Sequence, residues 1–155
     1  MEEYKKDIEE FIILVINSMG TKYIKEARYM CYRLFDIPKT TREIKEEIGY
    51  FSFKKVEKIK QKLNISLPLQ SAEKFIERYS KELYLSDRVI SKTKELDFDN
   101  DIAWIEAIMR IYIAGVIMNE SISIRKISEI TNVSRPTILK FIKEAKNNEK
   151  IKNFI

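Results

Sequence analysis

Apolar residues recur along this chain at intervals of three and four, which places them on one face of an α-helix. No stretch keeps the strict alternation of apolar and polar residues that predicts a β-strand. The first helical face, within Glu3–Ser18, carries Ile8, Phe11, Ile12 and Val15. With only 3 glycines and 3 prolines in 155 residues, the pattern predicts an all-α fold.

Short polar residues mark where several helices begin. Thr40 followed by Glu43 is the signature of a capping box, and Gly49 can end the helix that this box opens. Pro136 falls in the first turn after Ser134, where a missing amide costs no intrahelical hydrogen bond. The serines predicted to cap helices are Ser52, Ser86 and Ser134.

One segment interrupts the helical pattern near the middle of the chain. It reads "NISLPLQ", Asn64–Gln70, and Pro68 prevents a continuous helix there. We therefore predict two domains, residues 1–66 and residues 67–155.

The order of elements repeats in the two halves. A long apolar helix, Lys22–Phe35 or Asp101–Met118, is followed by a short helix, a turn and a basic helix. Asp101–Met118 is apolar almost all round, interrupted by Glu106 and Arg110, and is predicted to be the central helix of a bundle. This internal repeat predicts two helical bundles, each ending in a helix-turn-helix.

The net charge of +5 is concentrated in the two terminal helix pairs. Lys39–Leu63 has eight basic and four acidic residues (+4), and Ser121–Ile155 has eight and three (+5). The rest of the chain has thirteen and seventeen (−4). Such concentration is typical of surfaces that neutralise phosphates, although a solvated helix face would also account for either segment alone.

The second basic segment, "SIRKISEITNVSRPTILKFIKEA", spans Ser123–Ala145 and has the spacing of a helix-turn-helix. Ile127 and Ile138 belong to its predicted inner face. Short polar and basic side chains at the start of the second helix suit major-groove docking, where Arg and Thr reach bases and Lys holds phosphates. The predicted DNA-binding residues are Lys126, Ser134, Arg135, Thr137, Lys140, Lys143 and Lys146. The alternative is that these lysines serve solubility.

The corresponding segment of the first half is a weaker candidate. Tyr50, Phe51 and Phe53 crowd its turn, and acidic residues line its first helix. We expect non-specific phosphate contact or protein contact there rather than base readout. The possible phosphate contacts are Lys39, Arg42, Lys54, Lys55 and Lys58.

Composition argues against an enzyme, a cofactor and a metal site. The chain has no histidine, one cysteine and no glycine-rich phosphate loop. Its only carboxylate cluster, Asp97, Asp99 and Asp101, imitates a calcium loop but lacks the glycine and has Ile108 at the glutamate position. Helix capping by Asn100 or Asp101 is the simpler interpretation of this cluster. Cys31 lies on an apolar face and is predicted to be a small buried hydrophobe.

The amino-terminal helix is acidic and lacks a basic n-region, so we expect neither a signal peptide nor a transit peptide. Its apolar run, Phe11–Ile16, is too short to span a bilayer, and no membrane partner is expected. A cytoplasmic protein is predicted.

Three stretches carry a resemblance to a known family: "DIPKTTREI" (Asp36–Ile44), "FIERYSKELYLSDRV" (Phe75–Val89) and "IYIAGVIMNESISIRKISEITNVSRPTI" (Ile111–Ile138). They resemble the paired cyclin-like repeats of archaeal transcription factor B and eukaryotic transcription factor IIB. The resemblance implies two cyclin-like bundles that clamp TATA-binding protein on promoter DNA. The last helix of the second repeat, here Ser134–Ala145, would read the DNA element beside the TATA box.

The resemblance also implies an archaeal cell or a host cytoplasm as the location, or a nucleus for a eukaryotic protein. RNA polymerase is a further partner of the family, but no zinc ribbon or reader-type loop precedes the repeats in this sequence. The first repeat has one predicted helix fewer than the family pattern. Leu139 stands where the family generally has a base-contacting arginine, and Pro136 where it has a small apolar residue. A divergent regulator, such as a virus- or plasmid-borne one, is therefore expected.

Two other functions remain open from the sequence. Cyclin folds commonly serve as protein adaptors, although an adaptor has no need to concentrate positive charge in two helix pairs. A free-standing helix-turn-helix repressor or sigma-like factor would use only the second half and would usually bind as a dimer.

Overall fold

A computed structural model of the chain describes residues 2–149 and 151, and its regular structure there is entirely helical, which confirms the all-α prediction. Two short 3₁₀ turns, Glu2–Tyr4 and Thr21–Tyr23, precede α1 and α2. The α-helices of this part are α1 (Lys5–Met19), α2 (Ile24–Leu34), α3 (Thr41–Ile48), α4 (Phe53–Leu63), α5 (Ala72–Glu82), α6 (Asp87–Thr93), α7 (Ala103–Ile117), α8 (Ile124–Thr131) and α9 (Arg135–Lys146).

The helices form two compact units, Met1–Gln70 and Ser71–Ile155. The division falls at the end of the linker that contains Pro68, four residues after the predicted position.

The first unit is built around α2, against which α1, α3 and α4 pack. Apolar residues of all four helices fill its core, including Val15, Ala27, Met30, Ile44 and Ile59. The ring of Phe51, from the α3–α4 turn, stacks on Tyr29 of α2 at 4.5 Å between centroids. This stacking buries the start of the turn against the central helix.

The second unit is built around α7, which packs against α5, α6 and α9. Residues 105–111 of α7 are buried without interruption, as the nearly continuous apolar pattern predicts for a central helix. Ile108 and Ile111 of α7 meet Phe75 and Tyr79 of α5 and Ile138 of α9 in one core cluster. The position of α9 is therefore set by α7.

The predicted N-caps are present in the structure. Thr40 accepts a hydrogen bond from the Glu43 amide at 3.1 Å, and Glu43 accepts one from the Thr40 amide at 3.0 Å, which completes the capping box. The predicted caps Ser52, Ser86 and Ser134 each accept from the amide three residues ahead. Ser71 and Ser123, which were not predicted as caps, do the same for α5 and α8. These local signals locate the helix starts correctly.

The predicted start of α7 is wrong. The helix begins at Ala103, its N-cap is Ile102, and no side chain caps it. Asn100 instead accepts from the Ile102 amide at 2.9 Å in a turn that precedes the helix. The carboxylate of Glu106 holds this turn, because its oxygens accept from the amides of Phe98 and Asn100, each at 2.9 Å.

The carboxylate cluster near this turn has structural contacts. Asp97 accepts from the Asp99 amide at 2.9 Å and lies 3.7 Å from an Arg110 nitrogen. Across residues 2–149 and 151, no group of three or more acidic, cysteine or histidine side chains is arranged to hold a metal ion. In the same residues, no helix has the length and apolarity to cross a membrane.

Candidate nucleic-acid interface

Helices α8 and α9 are joined by a tight three-residue turn. Asn132 adopts the left-handed conformation (φ 59°), Val133 follows it, and Ser134 caps α9. The Ser128 hydroxyl donates to the Val133 carbonyl at 2.7 Å, and the Thr131 hydroxyl donates to the Ile127 carbonyl at 2.6 Å. These bonds fix the turn between the two helices.

The inner face of α9 packs against α7. Ile138, Ile142 and Ala145 are buried, and Phe141 meets Trp104 of α7 edge-on at 5.8 Å between ring centroids. Because these residues recur at intervals of three and four, the opposite face of α9 is left in solvent.

The predicted cations of α9 lie in this solvent-exposed part. Arg135, Lys140, Lys143 and Lys146 are all exposed, and none forms an ion pair with an acid among the described residues. Lys146 Nζ lies 5.9 Å from the centroid of the Tyr112 ring. An unpaired row of cations has no charge partner within the described chain, so its charge is available to an external anion.

The remaining predicted residues of this unit are placed differently. Lys126 is exposed, but it lies in the first turn of α8. The Ser134 hydroxyl is 2.8 Å from the Thr137 hydroxyl and accepts from the Thr137 amide at 3.4 Å. Both hydroxyls therefore belong to the helix cap, and Thr137 is half-buried.

Two apolar residues of the outer face were not included in the predicted site. Pro136 is exposed, and Leu139 is 51% exposed, between Arg135 and Lys143 at intervals of four residues. An exposed leucine inside a basic face could have been found from the sequence by the same four-residue spacing.

The possible phosphate contacts of the first unit differ in whether an acidic side chain pairs with them. Lys39 pairs with Glu47, and Arg42 pairs with Glu46, each at 3.5 Å. These two cations are therefore partly neutralised by acids of α3.

The three predicted phosphate contacts in α4 are Lys54, Lys55 and Lys58, and they differ from Lys39 and Arg42 and from each other. Lys54 and Lys58 are exposed, one turn apart, and no acid among the described residues pairs with either. Lys55 is half-buried, and its Nζ lies 3.5 Å from the Lys22 carbonyl and 5.8 Å from the Tyr23 ring centroid. Of these three lysines, Lys54 and Lys58 extend into solvent as the prediction requires, and Lys55 does not.

A charge cluster that includes a buried carboxylate joins α5 and α7 in the second unit. Glu106 is 3% exposed, and it accepts from Arg110 Nε at 2.6 Å. Arg110 also donates to Glu73 at 3.2 Å. Burial by itself lowers the pKa of Arg110, but the hydrogen bonds and charges of Glu106 and Glu73 outweigh burial and raise this pKa above its ordinary value. The arginine remains a cation, and the cluster ties α7 to α5.

Cys31 lies in the core of the first unit at 1% exposure. Burial raises the pKa of its thiol to about 12, and the nearby Arg28 charge only partly offsets this effect. The predicted burial is confirmed, and the thiol is neutral at physiological pH.

Neither the known protein-family models nor the curated proteins include a match to this chain.

Proposed function

We propose that this protein is a promoter DNA-binding transcription regulator that docks α9 in the major groove. The observation that carries the proposal is the exposed row of cations on α9, the second helix of a tight helix-turn-helix. An α-helix fits the major groove, and the amino-terminal residues of such a helix reach base edges while lysines neutralise phosphates. In this proposal Arg135 and Lys140 contact bases, and Lys143 and Lys146 contact the backbone.

Leu139 gives the docking face a preference for thymine. Apolar side chains read the methyl group of thymine in the major groove, and a leucine flanked by Arg135 and Lys143 would approach the bases as the helix docks. Leu139→Ala should therefore weaken binding most at sites with a thymine opposite this position.

We further propose that TATA-binding protein is the partner on the promoter. The support is the resemblance of three stretches to transcription factor B, together with an order of helices that suits it. The second unit has five helices, α5 to α9, with α7 at its centre, and in the first unit α3 and α4 follow the central α2. Cyclin-like repeats, RNA polymerase contact and a cytoplasmic location belong to the same proposal.

The first test is a gel shift on a TATA-containing promoter fragment, with and without the matching TATA-binding protein, at two salt concentrations. A supershift only with that protein supports the clamp. Binding without it instead favours a free-standing helix-turn-helix regulator, and a footprint with two half-sites would indicate a dimer.

Variants of α9 separate base readout from phosphate contact. Arg135→Ala and Lys140→Ala should each weaken binding at a preferred site by about 1–3 kcal/mol per lost base contact. Lys143→Ala and Lys146→Ala should weaken all sequences alike and reduce the salt slope by about one each. Lys74→Ala, which removes an exposed lysine of α5 in the same unit, is the control. Equal losses on every sequence from all four variants would reject base readout.

One observation favours the second candidate, a protein adaptor. A groove of about 580 Å³ lies among α5, α6 and α7, and the buried Ser80 hydroxyl beside it has no hydrogen-bond partner among the described residues. Tyr84, at its rim, is 92% exposed. The absence of DNA binding in both gel-shift lanes would favour this adaptor function.

A further inference from the structure

A second basic surface lies on the first unit. A groove of about 530 Å³ separates the start of α2 from the α3–α4 turn. We name it the lysine–tyrosine groove after four of the side chains that line it, Lys22, Lys25, Lys55 and Tyr50. Its volume lies within the range of sites that bind small molecules, and it is sufficient for a nucleotide.

The charge of the groove is positive. Glu26 also lines it, but this carboxylate is 3% exposed and accepts from the Ser52 amide at 2.8 Å. No ion pair joins Lys22, Lys25 or Lys55 to an acid in the described part of the chain. Three ammonium groups therefore line a groove whose one acid is engaged in holding the start of α4.

The lysines are held near the groove by specific contacts. Lys22 Nζ and Lys55 Nζ lie 5.5 and 5.8 Å from the centroid of the buried Tyr23 ring. Lys25 Nζ lies 3.4 Å from the position that a Cβ on Gly49 would occupy, which places this ammonium beside the turn. Cations restrained in this way lose less freedom when they bind an anion.

The other wall of the groove presents an aromatic ring to solvent. Tyr50 is 77% exposed, and Phe53, three residues later, is 49% exposed. Lys45 Nζ lies 5.7 Å from the Tyr50 ring centroid and 5.6 Å from that of Phe53. Exposed rings beside a basic groove are the combination by which proteins bind single-stranded nucleic acid, because an unpaired base stacks on the ring while lysines contact phosphates.

We propose that the lysine–tyrosine groove binds unpaired nucleotides of a single strand. Tyr50 stacks on a base, and Lys22, Lys25 and Lys55 contact the neighbouring phosphates. A duplex would not use the ring in this way, because both faces of its bases are already stacked on neighbouring bases. An acidic peptide matches the charge but gains less from an open aromatic face, and it becomes an outcome of the test.

The test uses the full chain and fluorescence anisotropy with a labelled thymidine 20-mer. The comparison strand is an abasic 20-mer with the same phosphates. Tyr50→Ala should weaken binding of the thymidine strand by roughly 5- to 150-fold, the effect of losing one stacked base. Binding of the abasic strand should not change, and Tyr50→Trp should restore the affinity for the thymidine strand. The matched control is Tyr84→Ala, which removes an even more exposed tyrosine from the second unit and should have no effect.

Charge is tested separately. Lys22→Ala and Lys25→Ala should weaken binding of both strands and lower the salt slope by about 0.7 for each lost phosphate contact. Lys74→Ala, which removes an exposed lysine that belongs to neither the lysine–tyrosine groove nor α9, should leave the affinity for both strands unchanged.

Several outcomes would overturn the proposal. These are equal affinity of the unmodified protein for the abasic and thymidine strands, equal effects of Tyr50→Ala and Tyr84→Ala, and no measurable single-strand binding. A poly-glutamate peptide is also tested as a competitor of the labelled thymidine strand, at the same concentration of charge. If it displaces the labelled strand as effectively as the unlabelled thymidine strand does, the groove is a general acidic-ligand site instead.

Discussion

The buried carboxylate of Glu106 should contribute far more to stability than an exposed carboxylate in a similar ion pair. It accepts from Arg110 Nε at 2.6 Å and from the amides of Phe98 and Asn100 at 2.9 Å. Glu106→Ala removes the acceptor of both amides and the nearest ion-pair partner of Arg110. Breaking a buried ion pair costs about 3–5 kcal/mol, and Arg110 retains Glu73 as a second partner at 3.2 Å. We expect a loss of about 4 kcal/mol in the free energy of unfolding. Glu106→Gln, which keeps one acceptor oxygen, should lose about 2 kcal/mol.

Urea denaturation followed by tryptophan fluorescence reports the unfolding of the second unit, which contains Glu106. Trp104 is the only tryptophan of the chain and stands two residues before Glu106 in α7. The control is Glu129→Gln in the exposed Arg125–Glu129 pair, which has the same four-residue spacing and a distance of 3.2 Å. Its side chains are 72% and 61% exposed, so this variant should lose no more than about 0.5 kcal/mol. Similar losses for the two glutamates would refute the reasoning.

Three further predictions concern packing, ionisation and backbone conformation. Gly115→Ala should lower the free energy of unfolding by about 1–3 kcal/mol, because the new Cβ would lie 2.7 Å from the Glu120 carbonyl oxygen and 2.6 Å from Ile122. Urea denaturation followed by Trp104 fluorescence measures this loss. Stability should fall as pH rises from 9 to 12, because the unfolded Cys31 thiol loses its proton near 9.0 while the folded thiol holds it to about 12. The slope due to this thiol is on the order of 1 kcal/mol per pH unit, and the difference between the unmodified protein and Cys31→Ala in alkaline urea titrations isolates it. Tyr84→Gly should stabilise the second unit by about 1 kcal/mol, because Tyr84 occupies a left-handed position (φ 54°) that suits glycine, and the same fluorescence titration detects the gain.

For each of these three predictions, one result would contradict the proposed physical cause. Val116→Ala, which shortens an exposed side chain next to Gly115, should have a smaller effect than Gly115→Ala, and the reverse order would exclude the steric explanation. Equal alkaline slopes with and without the thiol would show that Cys31 does not hold its proton. Tyr84→Ala keeps a Cβ at the strained position, so a gain equal to that of Tyr84→Gly would exclude backbone strain as the cause.

The sequence by itself determined the helical class and most of the helix starts. A capping box such as Thr40 with Glu43 joins atoms three residues apart, so the residues that form it are adjacent in the sequence. The capping serines Ser52, Ser86 and Ser134 were predicted for the same reason. The exposed cations of α9 could also be predicted, because a helix that buries Ile138 and Ile142 on one face leaves the opposite face in solvent.

Tertiary structure alone decided the features that depend on distant residues. The start of α7 was mispredicted because the Glu106 carboxylate accepts from the amides of Phe98 and Asn100, eight and six residues earlier, and no local signal reports this contact. Likewise, the lysine–tyrosine groove exists only because packing brings Lys22 near the turn at Tyr50, twenty-eight residues later. Local hydrogen bonds follow from sequence spacing, whereas buried charges and grooves follow from which helices meet, and that is decided by the packing of whole cores.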